Sequence, residues 1–332
     1  ARMTCCQYRP AVSIVTSFCR EPLQWIQSAY GSVLAQTFTD YEMIIICDDP
    51  ANTEAISYIQ GLDDKRIKLI INAENLGPTK SFNIGLAAAR GKYIARFDAD
   101  DICMPERLGK QVEYLEAHPD VSVCATDAHI IDSEGKITRK NKYRRKRDHT
   151  LLAIRNCIAH PSVMFRRSLM ELRNPLYNEE YTYAQDYELW QYLILNGHRF
   201  HTLKDTLILY RKGGSQISSA RILQQTAFFR KAQKSFIINW LTSHGIISPE
   251  DSEDFGKMLS RCSEAFPDST GEDRRFLEKI IYVLYFSLSI QDHTYRLRYL
   301  MDRNLIAFRL RFILTYRLLF ARRTSKVSPA LF

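Results

Sequence analysis

The first 125 residues alternate short apolar runs with segments of helical periodicity, and this alternation constrains the fold more than any other feature. Runs 11–19 and 41–47 are rich in β-branched residues, as in buried strands. Between them, apolar residues recur every three or four positions, at Leu23, Ile26, Ala29, Tyr30, Val33 and Leu34. The alternation continues with predicted helices at 51–62, 78–90 and 105–117 and predicted strands at 66–71, 92–97 and 121–125. Repeated strand, helix and strand units predict an α/β fold with a mainly parallel sheet.

Acidic clusters directly follow two of these strands. Asp48-Asp49 ends the run 41–47, and Asp98-Ala99-Asp100-Asp101 ends the run 92–97. In an open α/β sheet, ligands bind outside the carboxyl ends of the strands, so both clusters are predicted on one ligand-binding edge. Asp98 and Asp100 point to the same side of an extended chain. Paired carboxylates suit Mg²⁺ or Mn²⁺, whereas the alternative is a solvated turn with capping acids.

A third candidate acid is Asp186, which precedes a predicted buried helix. The apolar residues that follow it are Leu189, Trp190, Tyr192, Leu193 and Leu195. A carboxylate in the first turn also interacts favourably with the helix dipole, by about 0.3–1 kcal/mol, so spacing alone leaves a functional and a structural role open. The sequence has neither a G-x-x-x-x-G-K-[ST] loop nor a G-x-G-x-x-G fingerprint, which argues against a P-loop or dinucleotide-binding fold.

The formal net charge of +9 is unevenly distributed. Residues 136–147 contribute +8 and residues 290–332 contribute +7, which leaves the remainder of the chain at −6. An acidic body with two basic patches argues against a nucleic-acid partner. The first patch is either a solvated loop or a contact for an anionic acceptor or phospholipid.

The C-terminal region is predicted to be helical from about residue 219, so we expect an α/β domain at 1–218 and a helical region at 219–332. Near its end, one helical face carries Leu305, Phe308, Phe312, Ile313, Tyr316, Leu319 and Phe320. Arginines lie off that face, at Arg303, Arg311, Arg317 and Arg322. This pattern is typical of a helix at a membrane surface, although a helix packed on the enzyme has the same pattern.

The cysteines and the apolar runs indicate the cellular compartment. Eight cysteines occur without a C-x-x-C pair, as expected for buried thiols in a reducing environment. The apolar run 11–15 is too short for a secretory signal, and the run 280–290 is too short to span a bilayer. These features predict a cytoplasmic protein, peripheral on the inner face of the cytoplasmic membrane.

Several sequence blocks occur together in the order of a known family. They are PAVSIVTSF, SVLAQTFTDYEMIIICDD, NAENLGPTKSFNIGLAAARGKYIARFDADDICMPERLGKQ, HPSVMFRRS, AQDYELW and LYRKGGSQIS. Over about residues 10–220 the chain resembles the inverting family 2 glycosyltransferases of the GT-A fold, a Rossmann-like nucleotide-diphospho-sugar transferase fold. Within that family it is most similar to bacterial enzymes that add a β-linked hexose or N-acetylhexosamine to lipopolysaccharide, O-antigen or capsule.

The resemblance implies roles for individual residues. Asp48 or Asp49, with Asp49 favoured, matches the acidic pair that holds the uracil and ribose of a UDP-sugar. Asp98 and Asp100 match the D-x-D of the metal site, with Asp98 near the ribose and Asp100 on Mn²⁺ or Mg²⁺. Asp186 matches the catalytic base. The other implied positions are Thr16, Asn75, Gly77, Lys80 and Ala99 beside the nucleotide, His160 and Trp190 on the acceptor side, and Tyr210-Arg211 over the diphosphate.

The sequence also departs from the family pattern. The usual Asn after the first strand is Cys19, and the usual D-D-G-S turn ends in Pro50-Ala51 after Asp49. Gln185 replaces the acidic neighbour of the presumed base, which removes a charge that would affect its pKa. These departures concern donor specificity more than reaction type.

The resemblance therefore predicts an inverting transfer from a UDP-sugar to a lipid-linked glycan acceptor. One alternative is a sugar nucleotidyltransferase, which needs a Gly-rich phosphate loop near the N-terminus, and residues 16–21 contain no glycine. The other is a non-catalytic protein that binds membranes or polyanions, which leaves Asp98, Asp100 and Asp186 without a role.

Overall fold

The computed structural model describes residues 9–140, 149–212 and 222–291. The chain divides into two compact units, one formed by 1–147 with 157–225 and the other by 148–156 with 226–332. The assignment of 1–218 as the catalytic domain and of 219–332 as a separate helical region stays a prediction.

The first unit begins with the alternation predicted from the sequence. Its strands and helices are β1 (Val12–Phe18), α1 (Leu23–Leu34), β2 (Tyr41–Cys47), α2 (Thr53–Gln60), β3 (Ile67–Ile71), α3 (Pro78–Ala88), β4 (Tyr93–Arg96), β5 (Ile102–Cys103), α4 (Arg107–Ala117), β6 (Val121–Ile131), β7 (Ile137–Arg139), β8 (Met164–Arg166), α5 (Gln185–Leu195) and β9 (Arg199–Arg211). Strand β2 is buried along its whole length, as expected for a central strand covered on both faces.

The strands of the described residues form one mixed sheet in the order β3-β2-β1-β4-β8-β6-β9-β5, with β7 paired to β6. Strands β1 to β4 are parallel, and β6 is parallel to β9. Strand β8 is antiparallel to both β4 and β6, so these two strands have the same direction. The sheet is therefore mainly parallel in strand direction, which confirms the predicted fold class.

Helix α3 packs very closely on the sheet because of one glycine. A Cβ atom at Gly85 would lie 2.5 Å from side-chain carbons of both Val15 and Ile46. Such a contact is too short for any real Cβ atom, so only glycine fits without a shift of the helix. This close packing holds the C-terminal half of α3 against β1 and β2.

The helices of the second unit are α6 (Ile222–Ser243, which begins in the first unit), α7 (Phe255–Ala265) and α8 (Gly271–Gln291). Their aromatic core includes Phe236, Trp240 and Phe276. Gln233 Nε2 donates to the carbonyls of Ala153 and Ile154, which ties the segment 148–156 to α6. Across the described part of the chain, no helix has the length and apolarity needed to cross a bilayer. The predicted interfacial helix at 305–320 and the basic residues 141–147 lie outside the described residues.

Candidate active site

The carboxyl ends of β1, β2 and β4 meet at one edge of the sheet. Phe18 is paired with Cys47, and Val15 with Arg96, so the residues after these strands are neighbours. The amide of Asp48 donates to the carbonyl of Phe18 at 2.8 Å. Both predicted acidic clusters therefore lie at this edge, while Thr16 is fully buried within β1.

Asp48 organises the loop that leads into α3. Its carboxylate accepts hydrogen bonds from Asn72 Nδ2 at 2.8 Å and from the amides of Leu76 and Gly77, each at 2.9 Å. Gly77 has a φ of +82° and directly precedes the helix, a conformation that favours glycine. Both carboxylate oxygens of the buried Asp48 are thus bonded to this loop, which assigns Asp48 a role in shaping the site.

Asp49 lies nearer the surface. Its carboxylate accepts from the amide of Ala51 at 3.1 Å and pairs with the exposed Arg20 at 3.1 Å. Asn75 Nδ2 donates to Cys19 Sγ at 3.1 Å, so Asn75 lies over the end of β1. Lys80 is exposed on the first turn of α3. The structure places Asp49, Asn75 and Lys80 around the same edge, and their contact with a nucleotide stays a prediction.

Glu21 is an acid of this edge that the sequence analysis missed. Its Oε2 accepts from the amide of Cys19 at 2.6 Å. Burial raises the pKa of Glu21, and the negative charge of Asp98 raises it further. The pKa of Cys19 is raised to about 11 by burial and then by Glu21, Asp48 and Asp49. The charges of the acids that follow β2 therefore act on Cys19, and the charge of Asp98, which follows β4, acts on Glu21.

The acids that follow β4 form a cluster of three. One carboxylate oxygen from each of Asp98, Asp100 and Asp101 lies within 4.8 Å of the others. Asp101 is fully buried, and its pKa is raised well above the ordinary value by burial and by Asp100 and Asp98. Three hard oxygen donors fit a Mn²⁺ or Mg²⁺ ion. Ala99 is buried between them, with 2% of its surface exposed.

Sequence reasoning missed Asp101 because period-two alternation points it away from Asp98 and Asp100. The chain turns at this position, and the Asp101 carboxylate is held by the amide of Arg211 at 2.8 Å. The sequence does contain a signal for Asp101, because this third carboxylate directly follows the D-x-D.

Arg211 is buried, with 3% of its surface exposed, and it is bonded to the main chain. Its Nε donates to the Asp100 carbonyl at 2.7 Å, and its Nη1 donates to the carbonyls of Asp132 and Ser133 at 2.9 and 2.8 Å. Its guanidinium carbon lies 5.0 Å from the centre of the Trp25 ring. In this structure Arg211 connects the acidic cluster to the end of β6, and contact with a diphosphate stays a prediction.

Asp186 is in the first turn of α5, directly after an unusual backbone conformation. Ala184 caps the helix with a φ of +60°, a left-handed conformation that costs a non-glycine residue about 1–2 kcal/mol. Asp186 Oδ1 accepts from the amide of Tyr187 at 2.8 Å. Two residues further on, Glu188 pairs with Arg173 at 2.6 Å, which fixes this turn of the helix.

Tyr177 is close enough to both Asp186 and the acidic cluster for their charges to affect it. Burial raises the pKa of Tyr177, Arg96 lowers it, and both Asp186 and Asp98 raise it, so all three charges act on this side chain. The backbone around Tyr177 is held by α3. Asn83 Nδ2 donates to the Tyr177 carbonyl at 2.9 Å, and Asn83 Oδ1 accepts from the Tyr177 amide at 3.1 Å. Helix α3 thus positions both the loop at Asp48 and the segment that leads to Asp186.

His160 lies beside Tyr177, and Trp190 lies behind it. His160 Nε2 is hydrogen-bonded to the Tyr177 hydroxyl at 2.8 Å, and the Trp190 ring packs edge-on against the imidazole at 5.8 Å between ring centres. Trp190 is 0% exposed, and its place on the acceptor side stays a prediction. The bulk of its indole supports His160 from within the core, as part of the buried face of α5.

The burial of His160 makes folding sensitive to acid. Burial and the charge of Arg96 lower its pKa well below the ordinary 6.5. Below pH 6.5 the unfolded chain therefore binds a proton that the folded chain does not, so stability falls as the pH falls. We expect the wild type to lose about 1.4 kcal/mol per pH unit between pH 6 and 5 relative to His160→Gln. Urea unfolding of both proteins at pH 7, 6 and 5 measures this, and equal slopes would contradict it.

Comparisons with known proteins agree with this fold. The sequence profile described as "Glycosyl transferase family 2" matches residues 13–173. An uncharacterized glycosyltransferase of Methanocaldococcus jannaschii, MJ1057, is 33% identical over 225 residues, which are 66% of this chain and 77% of that protein. The amylovoran biosynthesis glycosyltransferase AmsE of Erwinia amylovora is 28% identical over 63% of this chain and 78% of its own length. The chain therefore belongs to glycosyltransferase family 2 and is a glycosyltransferase.

A solved structure shows the same fold. The structure of TarS 1–349 from S. aureus in complex with UDP-GlcNAc superposes with a TM-score of 0.57 and 16% identity, over 93% of this chain and 87% of that one. At this identity the likeness concerns the fold alone, which is the GT-A fold expected from the sequence.

Proposed function

We propose that this enzyme transfers a hexose or N-acetylhexosamine, with inversion, from a UDP-sugar to a hydroxyl of a bacterial cell-surface glycan such as lipopolysaccharide, O-antigen or capsule. The observation that carries the proposal is the presence of two separate sets of acids whose charges both act on Tyr177. Asp98, Asp100 and Asp101 form one set, and Asp186 forms the other. An inverting displacement needs this division, because the leaving group and the attacking hydroxyl occupy opposite faces of the anomeric carbon.

In the proposed reaction, Asp186 accepts the proton of the acceptor hydroxyl as its oxygen bonds to the anomeric carbon. The bond between that carbon and the β-phosphate oxygen breaks, and UDP leaves with the electron pair. Asp49 and Asn75 hold the nucleoside, while Asp48 keeps their loop in place through Leu76 and Gly77. Asp98, Asp100 and Asp101 are the residues to hold a divalent metal, which when bound stabilises the charge that develops on the diphosphate.

Donor binding and product formation test the proposal together. We expect UDP with Mn²⁺ to raise the melting temperature, and UDP without metal, GDP or CMP to raise it much less. Mass spectrometry of products from a panel of UDP-sugars and glycan acceptors then identifies the linkage. Stabilisation by UTP with a sugar 1-phosphate, and release of pyrophosphate, would support a sugar nucleotidyltransferase instead. The UDP-GlcNAc complex of TarS and the amylovoran role of AmsE support the choice of donor and of product class.

We also propose that the enzyme docks on an anionic membrane surface through residues 290–332, which carry a net charge of +7. Each base near an anionic leaflet contributes about 1 kcal/mol. Neutralising four of them in the full chain should weaken binding to vesicles of phosphatidylcholine with 30% phosphatidylglycerol by at least about tenfold. The four substitutions, each to Gln, are at Arg311, Arg317, Arg322 and Arg323.

A matched control neutralises the same number of exposed bases elsewhere. The four control positions are Lys68, Lys110, Arg199 and Arg261. Cosedimentation measures vesicle binding of both variants and the wild type. An equal loss in the two variants would assign the binding to net charge and remove the proposed docking region.

A further inference from the structure

Arg96 is a buried cation at the centre of the site that the reaction described above does not use. It is the last residue of β4, and 12% of its side chain is exposed. Alternation along the strand places Arg96 and Asp98 on the same side, where they form an ion pair. Burying an arginine destabilises the folded protein unless its charge is paired and its N–H groups are hydrogen-bonded. The partners of Arg96 therefore show whether these conditions are met.

The guanidinium contacts both the acidic cluster, through Asp98, and the aromatic ring of Phe82. Its carbon is 5.7 Å from the centre of the Phe82 ring. The same ring is 5.3 Å from the Tyr177 ring and 6.1 Å from the His160 ring, measured between centres. Phe82 thus packs against Arg96 as well as against Tyr177 and His160. The effect of Arg96 on the pKa of His160 agrees with this closeness.

One donor of Arg96 is not satisfied by the protein. Its Nε is buried and has no hydrogen-bond acceptor in residues 9–140, 149–212 and 222–291. Leaving a buried donor unpaired destabilises the folded protein, and more so when the group is charged. The ion pair with Asp98 compensates the charge but leaves this N–H without a partner. A bound molecule with an oxygen acceptor at this point would satisfy it.

We propose that Arg96 recognises the transferred sugar, by donating from its guanidinium to a hydroxyl or exocyclic oxygen of the hexose. The proposal rests on the proposed function, in which the hexose must lie between the diphosphate at the acidic cluster and the base Asp186. Arg96 pairs with Asp98 of that cluster and contacts Phe82. Phe82 packs on Tyr177, and the charge of Asp186 acts on Tyr177 as well. A guanidinium presents its donors in a rigid planar fork, so it distinguishes the orientation of sugar hydroxyls more sharply than a lysine ammonium does.

This role differs from that of a counter-ion for Asp98, and binding measurements separate the two. UDP contains the diphosphate but not the sugar, whereas UDP-GlcNAc, UDP-glucose and UDP-galactose contain both. Calorimetry in Mn²⁺ gives the dissociation constant of each probe for the wild type, Arg96→Lys and Arg96→Gln. The lysine variant keeps a positive charge beside Asp98, so it remains informative where the glutamine variant unfolds.

For Arg96→Lys we expect the dissociation constant of UDP to change by less than about threefold, and that of the preferred UDP-sugar to rise at least about tenfold. The preference among the three sugars should shrink by a similar factor. Equal weakening of UDP and UDP-sugar, or no weakening of either, overturns the proposal and leaves Arg96 as a counter-ion. Binding of none of the four probes by the wild type overturns the proposed function as well.

Arg166→Gln is the matched control. Arg166 is a part-buried arginine at the end of β8, where it is paired in register with Tyr93, the first residue of β4, and donates to the carbonyls of Val121 and Leu115. Its loss should lower the melting temperature without changing the ratio of the UDP and UDP-sugar dissociation constants. A shift of that ratio in Arg166→Gln equal to that in the Arg96 variants would assign the effect to general loosening of the sheet and refute sugar recognition.

Discussion

Asp186→Asn should lower kcat for glycosyl transfer by about 10²–10⁴-fold, the usual contribution of a general base. The amide has the size of the carboxylate but cannot take the proton of the acceptor hydroxyl. Its oxygen can still accept from the amide of Tyr187, as Asp186 Oδ1 does at 2.8 Å, so the helix turn is preserved. The dissociation constant of UDP in Mn²⁺ should change by less than about threefold, because the proposed nucleotide contacts lie at the other set of acids. Steady-state kinetics and calorimetry measure the two quantities.

Glu188→Gln is the control for this substitution. It is the same carboxylate-to-amide change in the same helix, and it breaks the ion pair of Glu188 with Arg173 at 2.6 Å. We expect it to loosen the first turn of α5 and to lower kcat by less than about tenfold, because the proposed base remains. Normal turnover in Asp186→Asn, or an equal loss in both variants, would show that Asp186 is not the base.

The sequence predicted the parts of the site that follow regular alternation. Strands β1, β2 and β4 and helices α1 and α3 have clear apolar periodicity, and the parallel order of the strands brings their carboxyl ends together. The placement of Asp48, Asp49, Asp98 and Asp100 at one edge follows from this topology alone. The local pattern of apolar residues is sufficient to predict these strands and helices because each of them buries one of its own faces.

The positions that the sequence missed depend on contacts between distant residues. Asp101 joins the acidic cluster because the chain turns after Asp100 and because the amide of Arg211, 110 residues later, binds its carboxylate. The packing of α5 buries Trp190 behind His160, a contact that the sequence does not reveal. Strand β9 spans 13 residues and was not predicted, because it is amphipathic only in part and its pairing with β6 is interrupted by irregularities in register.

Arg96 is another residue whose role depends on contacts that the sequence does not reveal. From the sequence it is one polar residue in an apolar strand, and such a residue is as readily exposed as buried. Its meaning comes from three facts of the tertiary structure: the ion pair with Asp98, the contact with Phe82 and an N–H group without an acceptor. A buried polar group with an unpaired donor indicates a ligand more clearly than a sequence motif does. A motif gives the residue types but does not show which hydrogen-bond donors are already paired within the protein.

Asp100→Ala should remove most of the effect of Mn²⁺ on nucleotide binding. The substitution deletes one carboxylate of the three-acid cluster but keeps the main-chain carbonyl that accepts from Arg211 Nε at 2.7 Å. Removing a residue that only positions a metal ligand typically weakens metal binding by about 10–100-fold. Removing a ligand itself should therefore weaken metal binding by at least about 100-fold. Calorimetric titration with UDP, with Mn²⁺ and with EDTA, measures the difference. In EDTA the wild type and the variant should bind UDP equally.

The apo protein should not be destabilised by Asp100→Ala. The charge of Asp100 raises the pKa of the buried Asp101, so its removal relieves repulsion inside the cluster, and the melting temperature without metal should stay equal or rise. Lost binding then cannot be attributed to unfolding. Asp205→Ala is the control, since it removes an exposed acid of the same sheet that pairs with Lys110. If Mn²⁺ strengthens UDP binding by the same factor in Asp100→Ala and in Asp205→Ala, the metal is bound elsewhere and the acids after β4 only shape the loop.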